Sequence, residues 1–259
     1  MNKTALMTGS TSGIGYELAY IHARQGGNLV LVARSKDKLE QIKKDLENKY
    51  KIDVYVIDKD LSIKDSTKDV YDEIIKNNIT VDYLINNAGF GDFGFFNNND
   101  WGKLEQMINL NITTLTHLTK LFVKDMIKRG NGKIMNVAST AAFQPGPTMA
   151  VYYASKAYVL SFSEALSNEV KDNGITVTTL CPGATKSGFQ EAASMNESRL
   201  VKGRILATSK EVAEYGYNAM LKGKSVAIPG IVNYLMANSI RFFPRSAVLK
   251  VVRFIQDKR

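Results

Sequence analysis

The chain has 259 residues, 44% of them hydrophobic and 23% charged, and its formal net charge is +9. This is long and apolar enough for a full globular core, and no apolar run approaches the roughly 18 residues that a membrane-spanning helix needs. The single cysteine, Cys181, excludes an internal disulfide, and the first residues contain no secretory apolar stretch. We therefore expect a reducing, cytoplasmic location.

The positive charge is concentrated at one end of the sequence. Residues 241–259 contain six bases and one acid, a net +5, which leaves +4 for the other 240 residues. The body of the chain is too mildly basic to predict a nucleic-acid partner. The basic segment 241–259 also has apolar residues at helical spacing, which predicts packing within the protein or an oligomer, or over the active site. Contact with an anionic membrane surface is the alternative.

Apolar runs and amphipathic stretches alternate along the chain. Short runs rich in β-branched residues predict strands at 4–8, 28–33, 53–57, 82–87, 132–137, 175–180 and 225–228. Longer amphipathic stretches predict helices at 36–49, 62–77, 101–129 and 151–171. Strand followed by helix, repeated, gives right-handed βαβ units. We therefore predict an α/β fold, a doubly wound parallel sheet of about seven strands with helices on both faces, forming one domain over 1–259.

A glycine-rich turn, TGSTSGIG (8–15), joins the first predicted strand to the first helix. Glycines allow a sharp turn and close approach of a ligand, and the start of the helix offers N–H groups and a positive dipole end to a pyrophosphate. The spacing is not that of a phosphate-binding P-loop, because no lysine follows. The residues predicted to hold a dinucleotide here are Gly9, Thr11, Ser12, Gly13, Ile14 and Gly15.

The end of the second strand indicates which dinucleotide is bound. NAD-binding folds usually place an acid about 20 residues beyond the glycines, on the ribose 2′-hydroxyl. Here Ala33 stands at that position and is followed by Arg34 and Ser35. A guanidinium and a hydroxyl suit a 2′-phosphate, whereas a carboxylate would repel it. The sequence therefore favours NADP(H) over NAD(H).

Four more motifs follow at predicted strand ends or helix starts. They are NNAG (86–89), NVAST (136–140), YYASK (152–156) and CPGATKS (181–187). Together with TGSTSGIG, in this order, they resemble the short-chain dehydrogenase/reductase family, in its one-domain subgroup of about 250 residues. The resemblance runs from about residue 3 to residue 230. It implies an oxidoreductase that transfers a hydride between nicotinamide and a carbonyl or secondary alcohol, and a homodimer or homotetramer built on helices 101–129 and 151–171.

The resemblance also assigns site residues. The catalytic set would be Asn111, Ser139, Tyr152 and Lys156, with Asn111 kinking its helix and helping to relay protons. Tyr152 and Lys156 would also contact the cofactor. The further cofactor residues would be Asp60, Leu61, Asn87, Ala88, Gly89, Pro182, Gly183, Thr185 and Ser187. Ser187 replaces the threonine usual in the family and keeps its hydroxyl.

Two adjacent tyrosines compete for the role of proton donor. Tyr152 and Tyr153 lie four and three residues before Lys156, and both spacings share a helix face. Only Tyr152 fits the family's pattern, with Ser139 thirteen residues earlier. A tyrosine pKa of about 10 is high for turnover near neutrality, and an ammonium about 4 Å away can lower it by roughly three units. We therefore expect Lys156 to lower the pKa of Tyr152, and Tyr153 to be a packing residue.

The substrate is not specified by a motif. Aromatic residues at 90, 93, 95 and 96 and the region 188–205, a predicted substrate loop, point to an apolar or acyl-bearing ketone or aldehyde. Cys181, His22 and His117 are interpreted as structural, and no metal site is expected. Two other classes stay open: a non-catalytic NADPH-binding regulator, and an epimerase or dehydratase of the extended family.

Overall fold

The computed structural model describes residues 2–188 and 206–256. Of the predicted substrate loop, residues 189–205 lie outside the described residues, as do 257–259 of the basic segment. The helices in the described ranges are α1 (Gly13–Arg24), α2 (Lys36–Tyr50), α3 (Ser66–Lys76), α4 (Trp101–Ile108), α5 (Leu115–Arg129), α6 (Ala150–Val170), α7 (Ser209–Leu221), α8 (Ile231–Ser239) and α9 (Arg245–Gln256).

Seven parallel strands form the main sheet. In chain order the described strands are β1 (Thr4–Thr8), β2 (Asn28–Ala33), β3 (Val54–Asp58), β4 (Tyr83–Asn86), β5 (Gly132–Val137), β6 (Ile175–Leu180), β7 (Thr185–Lys186), β8 (Ala207–Thr208) and β9 (Val226–Ala227). The main sheet has the order β3-β2-β1-β4-β5-β6-β9, and β7 pairs with β8 separately. The predicted doubly wound sheet is confirmed, with strand ends shifted by at most one residue. The β7–β8 pair was not predicted.

Both faces of the sheet are buried, which explains why its strands are continuous apolar runs. In β1, Ala5 and Met7 face a core formed with α1, α2 and α7, while Leu6 faces a core formed with α3, α5 and α6. Successive strand residues point to opposite faces, so one strand contributes to both cores. This double cover fixes the sheet and leaves the carboxyl ends of its strands to form a crevice.

A third, smaller core holds α9 against the rest of the molecule. Val248 and Val252 of α9 pack in one cluster with Leu104, Met149 and Tyr152. The spacing of four residues puts both valines on one face of α9. The C-terminal helix is thus attached beside the helix that carries the tyrosine doublet. None of the helices in the described ranges is long and apolar enough to span a membrane.

Candidate active site

The site lies where the strand order reverses. β1 and β4 are neighbours in the sheet, and the chain leaves them toward opposite edges. In such sheets ligands bind in the crevice outside the carboxyl ends of the two strands. Here the glycine turn follows β1 and the NNAG motif follows β4. The side chain of Thr8 joins them, because its Oγ1 accepts hydrogen bonds from the backbone N–H of Asn87 (3.0 Å) and Ala88 (2.9 Å).

The glycine turn is packed tightly against the NNAG loop. Gly9 has φ +67° and Gly13 has φ +58°, a region that side-chain-bearing residues rarely adopt. A Cβ added at Gly9 would lie 2.9 Å from the Cα of Ala88. At Gly15 it would lie 2.3 Å from the carbonyl oxygen of Gly9 and 2.4 Å from Nδ2 of Asn87. Asn87 completes the contact by donating to the carbonyl oxygens of Thr8 and Gly9, both at 3.0 Å.

This turn fits the pyrophosphate of a dinucleotide. Ser12 stands at the N-cap of α1 and makes no side-chain hydrogen bond to the first turn of the helix. The first N–H groups of the helix therefore have no side-chain cap from Ser12, and an anion can serve in its place. Gly9, Gly13 and Ser12 face one large cavity of about 1550 Å³. Its volume exceeds the roughly 300–1,000 Å³ of a pocket for one drug-sized ligand.

Nearly all the residues expected at the site line this cavity. Besides the glycine turn they are Arg34, Ser35, Asp60, Leu61, Asn87, Ala88, Gly89, Ser139, Tyr152, Lys156, Pro182, Gly183, Thr185 and Ser187. Gly15 and Asn111 are not among the lining residues. Gly15 is buried behind the turn, where its missing side chain permits the packing just described. Asn111 is 1% exposed and lies behind Gly89, where it contacts the cavity-lining residues rather than the cavity itself.

Basic side chains surround the end of β2. Arg34 follows that strand, is exposed, and lines the cavity, with Lys38 of α2 and Lys59 after β3 lining the same cavity. Lys59 is also paired with Asp69 at 3.2 Å. The carboxylate of Asp60 accepts bonds from the N–H and the hydroxyl of Ser62. Lys38 and Lys59 were not predicted, although a lysine four residues after Arg34 and one beside Asp60 were visible in the sequence.

Asn111 occupies a local break in a long helix. Residues Asn109–Thr114, between α4 and α5, form a π-helix, a feature that often marks functional sites. Nδ2 of Asn111 donates to the carbonyl oxygen of Phe90 (3.0 Å) and to Oγ of Ser155 (3.1 Å), and its Oδ1 accepts from the N–H of Phe90 (3.2 Å). The asparagine thus ties the loop after β4 to α6. Ser155 was not identified from the sequence.

Ser139, Tyr152 and Lys156 lie close together in the lining of the cavity. Ser139 follows β5, and its side chain hydrogen-bonds to that of Tyr152. Its Oγ also accepts from the N–H of Ala141 at 3.1 Å. Lys156 lies one turn after Tyr152 on α6, with Nζ 5.8 Å from the tyrosine ring centroid and donating to the carbonyl oxygen of Val137 at 2.9 Å.

Burial dominates the electrostatics of this group. It raises the pKa of Tyr152 above its usual range, against the lowering effect of the hydrogen bond from Ser139. Burial also lowers the pKa of Lys156 to about 8. The expected lowering of the Tyr152 pKa by Lys156 is therefore not observed. The physical reason is that both groups are removed from water, which disfavours the tyrosinate and the ammonium alike.

The second tyrosine of the doublet holds the C-terminal helix. The hydroxyl of Tyr153 accepts a hydrogen bond from Nε2 of Gln256, which is 1% exposed at the end of α9. Its ring packs edge-on against that of Tyr152, with centroids 6.1 Å apart. Residues of α8 and α9 also line the cavity, among them Val232, Met236, Val248, Val251 and Val252. Gln256 and these apolar residues were not assigned to the site from the sequence.

Three residues were interpreted from the sequence as structural: His22, His117 and Cys181. Each of them has contacts that fit this interpretation. His22 is buried and hydrogen-bonds to the hydroxyl of Tyr217 (2.7 Å) and the carbonyl oxygen of Lys3 (3.0 Å). His117 hydrogen-bonds to Thr67. Cys181 is buried, and burial raises the pKa of its thiol to about 12, so it is not a reactive thiolate.

Comparison with known proteins decides the family. A family model described as short chain dehydrogenase matches residues 3–198. The chain belongs to the short-chain dehydrogenase family. Among curated relatives, 17-beta-hydroxysteroid dehydrogenase type 3 of Mus musculus is 35% identical over 70% of this chain and 60% of its own. The very-long-chain 3-oxoacyl-CoA reductase of Homo sapiens is 32% identical over 97% of this chain and 79% of its own.

Solved structures of the family agree with the fold. A short-chain dehydrogenase from Sphingobium yanoikuyae, in complex with NADPH, has a TM-score of 0.83 at 28% identity, covering 98% of both chains. A bulky-bulky ketone specific alcohol dehydrogenase from Comamonas testosteroni has a TM-score of 0.80 at 28% identity, covering 93% of this chain and 92% of its own. The family and the doubly wound single domain expected from the motifs are thereby confirmed.

Proposed function

We propose that this chain is an NADPH-dependent reductase of a carbonyl group on an apolar or acyl-bearing substrate. The observation that carries the proposal is that Ser139, Tyr152 and Lys156 open on the same cavity as the glycine turn and Arg34. A dinucleotide bound along the turn and a carbonyl held at the tyrosine would share one enclosure. A non-catalytic regulator would not require this set of polar groups around one point.

The proposed chemistry divides between cofactor and chain. When bound, the nicotinamide supplies the hydride that reaches the carbonyl carbon. The hydroxyl of Tyr152 donates its proton to the carbonyl oxygen, which gains negative charge as the C=O π bond breaks. Ser139, already hydrogen-bonded to Tyr152, is placed to donate to the same oxygen and share that charge. The raised pKa of Tyr152 keeps it protonated and ready to donate at neutral pH.

Lys156 and Asn111 support the tyrosine in this scheme. The ammonium of Lys156 stabilises the tyrosinate left after proton transfer, and its contact with the carbonyl oxygen of Val137 fixes its position. A Cβ added at Gly89 would lie 2.9 Å from Oδ1 of Asn111 and 3.5 Å from Nζ of Lys156, so that both groups border one small space. We assign Asn111 as a positioning residue that holds this space open by fixing Phe90 and Ser155.

The preference for NADPH rests on Arg34. The guanidinium lies at the cavity beside the end of β2, with Lys38 nearby in α2, and Ala33 leaves no carboxylate to bind a ribose 2′-hydroxyl. The related dehydrogenase from Sphingobium yanoikuyae was solved with NADPH. The residues proposed to bind the cofactor are those of the sequence analysis, with Gly15 contributing through the packing of the turn.

The substrate class follows from the apolar half of the cavity. Apolar side chains of the C-terminal segment line the same cavity as the polar groups, namely Val232, Met236, Ile240, Phe243 and Val251. Relatives of this chain include a very-long-chain 3-oxoacyl-CoA reductase and an alcohol dehydrogenase specific for bulky-bulky ketones. We therefore propose a substrate with a long or bulky apolar group beside its carbonyl.

We also propose a homo-oligomer that uses the surface of helices α4, α5 and α6. Trp101, Ile127 and Tyr158 lie on these helices and are exposed in the single chain. Exposed large apolar residues on neighbouring helices favour association of like subunits. Light scattering coupled to gel filtration gives the subunit number, and a monomer at working concentrations would contradict this assignment.

The function is tested by NADPH oxidation with carbonyl substrates of increasing apolar size. We expect kcat/KM to rise from acetone to long-chain methyl ketones and 3-oxoacyl thioesters, and NADPH to bind at least tenfold more tightly than NADH. Arg34→Ala should remove that difference without changing NADH binding, while Lys44→Ala on the outer part of α2 serves as the control. Equal binding of the two nucleotides would contradict the cofactor assignment, and no oxidation with any carbonyl would contradict the reaction.

A further inference from the structure

The outer surface of the C-terminal helices is apolar and basic at once. We define the C-terminal helix pair as α8 (Ile231–Ser239), the short turn Ile240–Phe242 and α9 (Arg245–Gln256). We propose that this pair docks on an anionic lipid surface. The proposal goes beyond the reaction above and does not depend on it.

The first observation is the exposure of large apolar side chains. Ile231 is 70% exposed, Leu235 59% and Phe242 84%, and none of the three lines the cavity. Single exposed apolar residues are ordinary, but clusters on one element mark interaction surfaces. The large apolar residues of the helix pair that are exposed without lining the cavity are Ile231, Tyr234, Leu235, Phe242, Leu249 and Phe254.

The second observation is the sign of the charge. Between Glu214 and Asp257 the sequence contains no acidic residue, and the helix pair carries the bases Arg241, Arg245, Lys250 and Arg253. Amphipathic helices that lie on membranes combine phenylalanine and leucine with lysine and arginine in this way. Each basic residue near an anionic bilayer strengthens binding, and the attraction falls off within a Debye length.

A second copy of this chain fits the surface less well. In a two-fold symmetric interface the same patch appears on both sides. Such an interface would bring the four bases of each helix pair together, eight in all, with no acid of either pair to compensate them. An anionic lipid surface provides the opposite charge together with an apolar layer. Charge complementarity therefore favours lipid as the occupant.

The docking surface adjoins the mouth of the cavity. Val232, Met236 and Val251 line the cavity and are also exposed, on the same helices as the outer residues. The inner side of α9 is fixed by Val248, Val252 and the bond between Gln256 and Tyr153, so the pair is attached to the body of the protein. Docking would set the mouth of the cavity against lipid. The consequence that apolar substrates enter from lipid rests on the proposed function.

The test is co-sedimentation of the full chain with vesicles, without cofactor or substrate. We expect binding to vesicles of phosphatidylcholine with about 30% phosphatidylglycerol at low salt, weaker binding at about 0.5 M NaCl, and little binding to phosphatidylcholine alone. Because the assay measures no turnover, its failure is distinguishable from failure of the proposed reaction.

Two double variants separate the basic and apolar contributions. Arg245→Gln with Lys250→Gln should lower the partition coefficient on anionic vesicles by roughly 25-fold, about fivefold for each charge. Leu235→Gln with Phe242→Gln should lower it at least tenfold, because the apolar insertion is lost. The matched control is Lys44→Gln with Lys49→Gln, the same change of charge on exposed residues of α2, and it should bind like the parent chain.

Three results would overturn the proposal. The first is no binding of the parent chain to anionic vesicles at low salt. The second is an equal loss of vesicle binding in the α2 control. Binding would then depend on the net charge of the protein and not on the position of the bases in the helix pair. The third is a dimer that dissociates in the Leu235→Gln, Phe242→Gln variant, because a second copy would then cover this surface. Circular dichroism and turnover of a small ketone establish that each variant is folded.

Discussion

At the scale of single residues, the behaviour of the site depends on a buried lysine. Lys156 is 6% exposed, and burial lowers its pKa to about 8, whereas burial raises that of Tyr152. As the pH rises, the lysine therefore loses its charge before the tyrosine loses its proton. In the proposed reaction, that charge stabilises the tyrosinate formed during reduction. The loss of activity at alkaline pH should accordingly follow the deprotonation of Lys156.

This ordering predicts a pH profile. For carbonyl reduction, kcat/KM should be constant between about pH 6.5 and 7.5 and should fall as the pH rises through about 8, since the ammonium is then lost. Initial rates of NADPH oxidation over pH 6 to 10 measure this. Tyr153→Phe serves as the control and should keep the profile. A rate that stays constant up to pH 10 would contradict a role for the Lys156 ammonium.

The same burial predicts an effect on stability. The pKa of Lys156 is lower in the folded chain than the usual 10.5, so its burial destabilises the protein at neutral pH, and this penalty fades as pH rises from about 8 to about 10.5. The pKa shift corresponds to a cost of about 3 kcal/mol for burying the ammonium. Replacing the lysine also removes its hydrogen bond to Val137, which takes about 1 kcal/mol from the gain. Lys156→Met should therefore raise the free energy of unfolding at pH 7 by about 2 kcal/mol while abolishing turnover.

Urea unfolding at pH 7 and pH 10 measures this gain. The difference between Lys156→Met and the parent chain should shrink at pH 10, because the folded chain then already holds the lysine neutral and no longer buries a charge. Lys133→Met, the same substitution at a partly buried lysine of strand β5, is the control and should not reproduce the gain in stability at pH 7. A Lys156→Met variant that is less stable than the parent chain at pH 7 would contradict the assignment of a net cost to the buried ammonium.

At the scale of elements, the tyrosine doublet couples α6 to α9. Tyr153 bonds to Gln256, and Val248 and Val252 pack in the same cluster. The position is crowded, since a Cβ added at Gly146 would lie 2.3 Å from the Tyr153 ring. The two tyrosines therefore differ in their contacts: Tyr152 hydrogen-bonds to Ser139, and Tyr153 hydrogen-bonds to α9, which lines the cavity.

Removing the hydroxyl of Tyr153 should loosen α9 without disturbing the chemistry. For Tyr153→Phe we expect KM for a long-chain ketone to rise several-fold while kcat stays within about twofold, because the ring and Tyr152 are unchanged. Steady-state kinetics with a short and a long ketone separate the two effects, and only the long substrate should respond. Tyr71→Phe, which removes a hydrogen bond to Asp125 away from the cavity, is the control. A kcat reduced a hundredfold would show that Tyr153 takes part in the reaction.

The π-helix between α4 and α5 could not be predicted from the sequence pattern alone. Residues 101–129 have a continuous amphipathic pattern, which predicts one helix, and the structure has a π-helix at Asn109–Thr114 within it. That break coincides with the bonds of Asn111 to Phe90 and Ser155, which are tertiary contacts without a local signal. The motif did suggest a kink at Asn111 by family resemblance, but its partner Ser155 could be found only in three dimensions.

At the scale of the whole molecule, the parallel sheet was predictable because burial on both faces leaves a plain apolar signature in each strand. The order of motifs at strand ends then located the crevice. The closure of the cavity by α8 and α9 was not predictable, since the pattern of 241–259 was compatible with several packing partners. The pKa of Tyr152 was also misjudged, because spacing along a helix gives the distance to Lys156 but not the loss of water around both groups.

One measurement tests the central claim most directly: the rate of NADPH oxidation by Tyr152→Phe, compared with the parent chain and Tyr153→Phe, on the same apolar ketone. Loss of a general acid typically costs about 10² to 10⁴ in rate. We predict a loss in this range for Tyr152→Phe, with NADPH binding unchanged, and near-parental kcat for Tyr153→Phe. Full turnover by Tyr152→Phe, or equal losses in both variants, would contradict the assignment of Tyr152 as the proton donor.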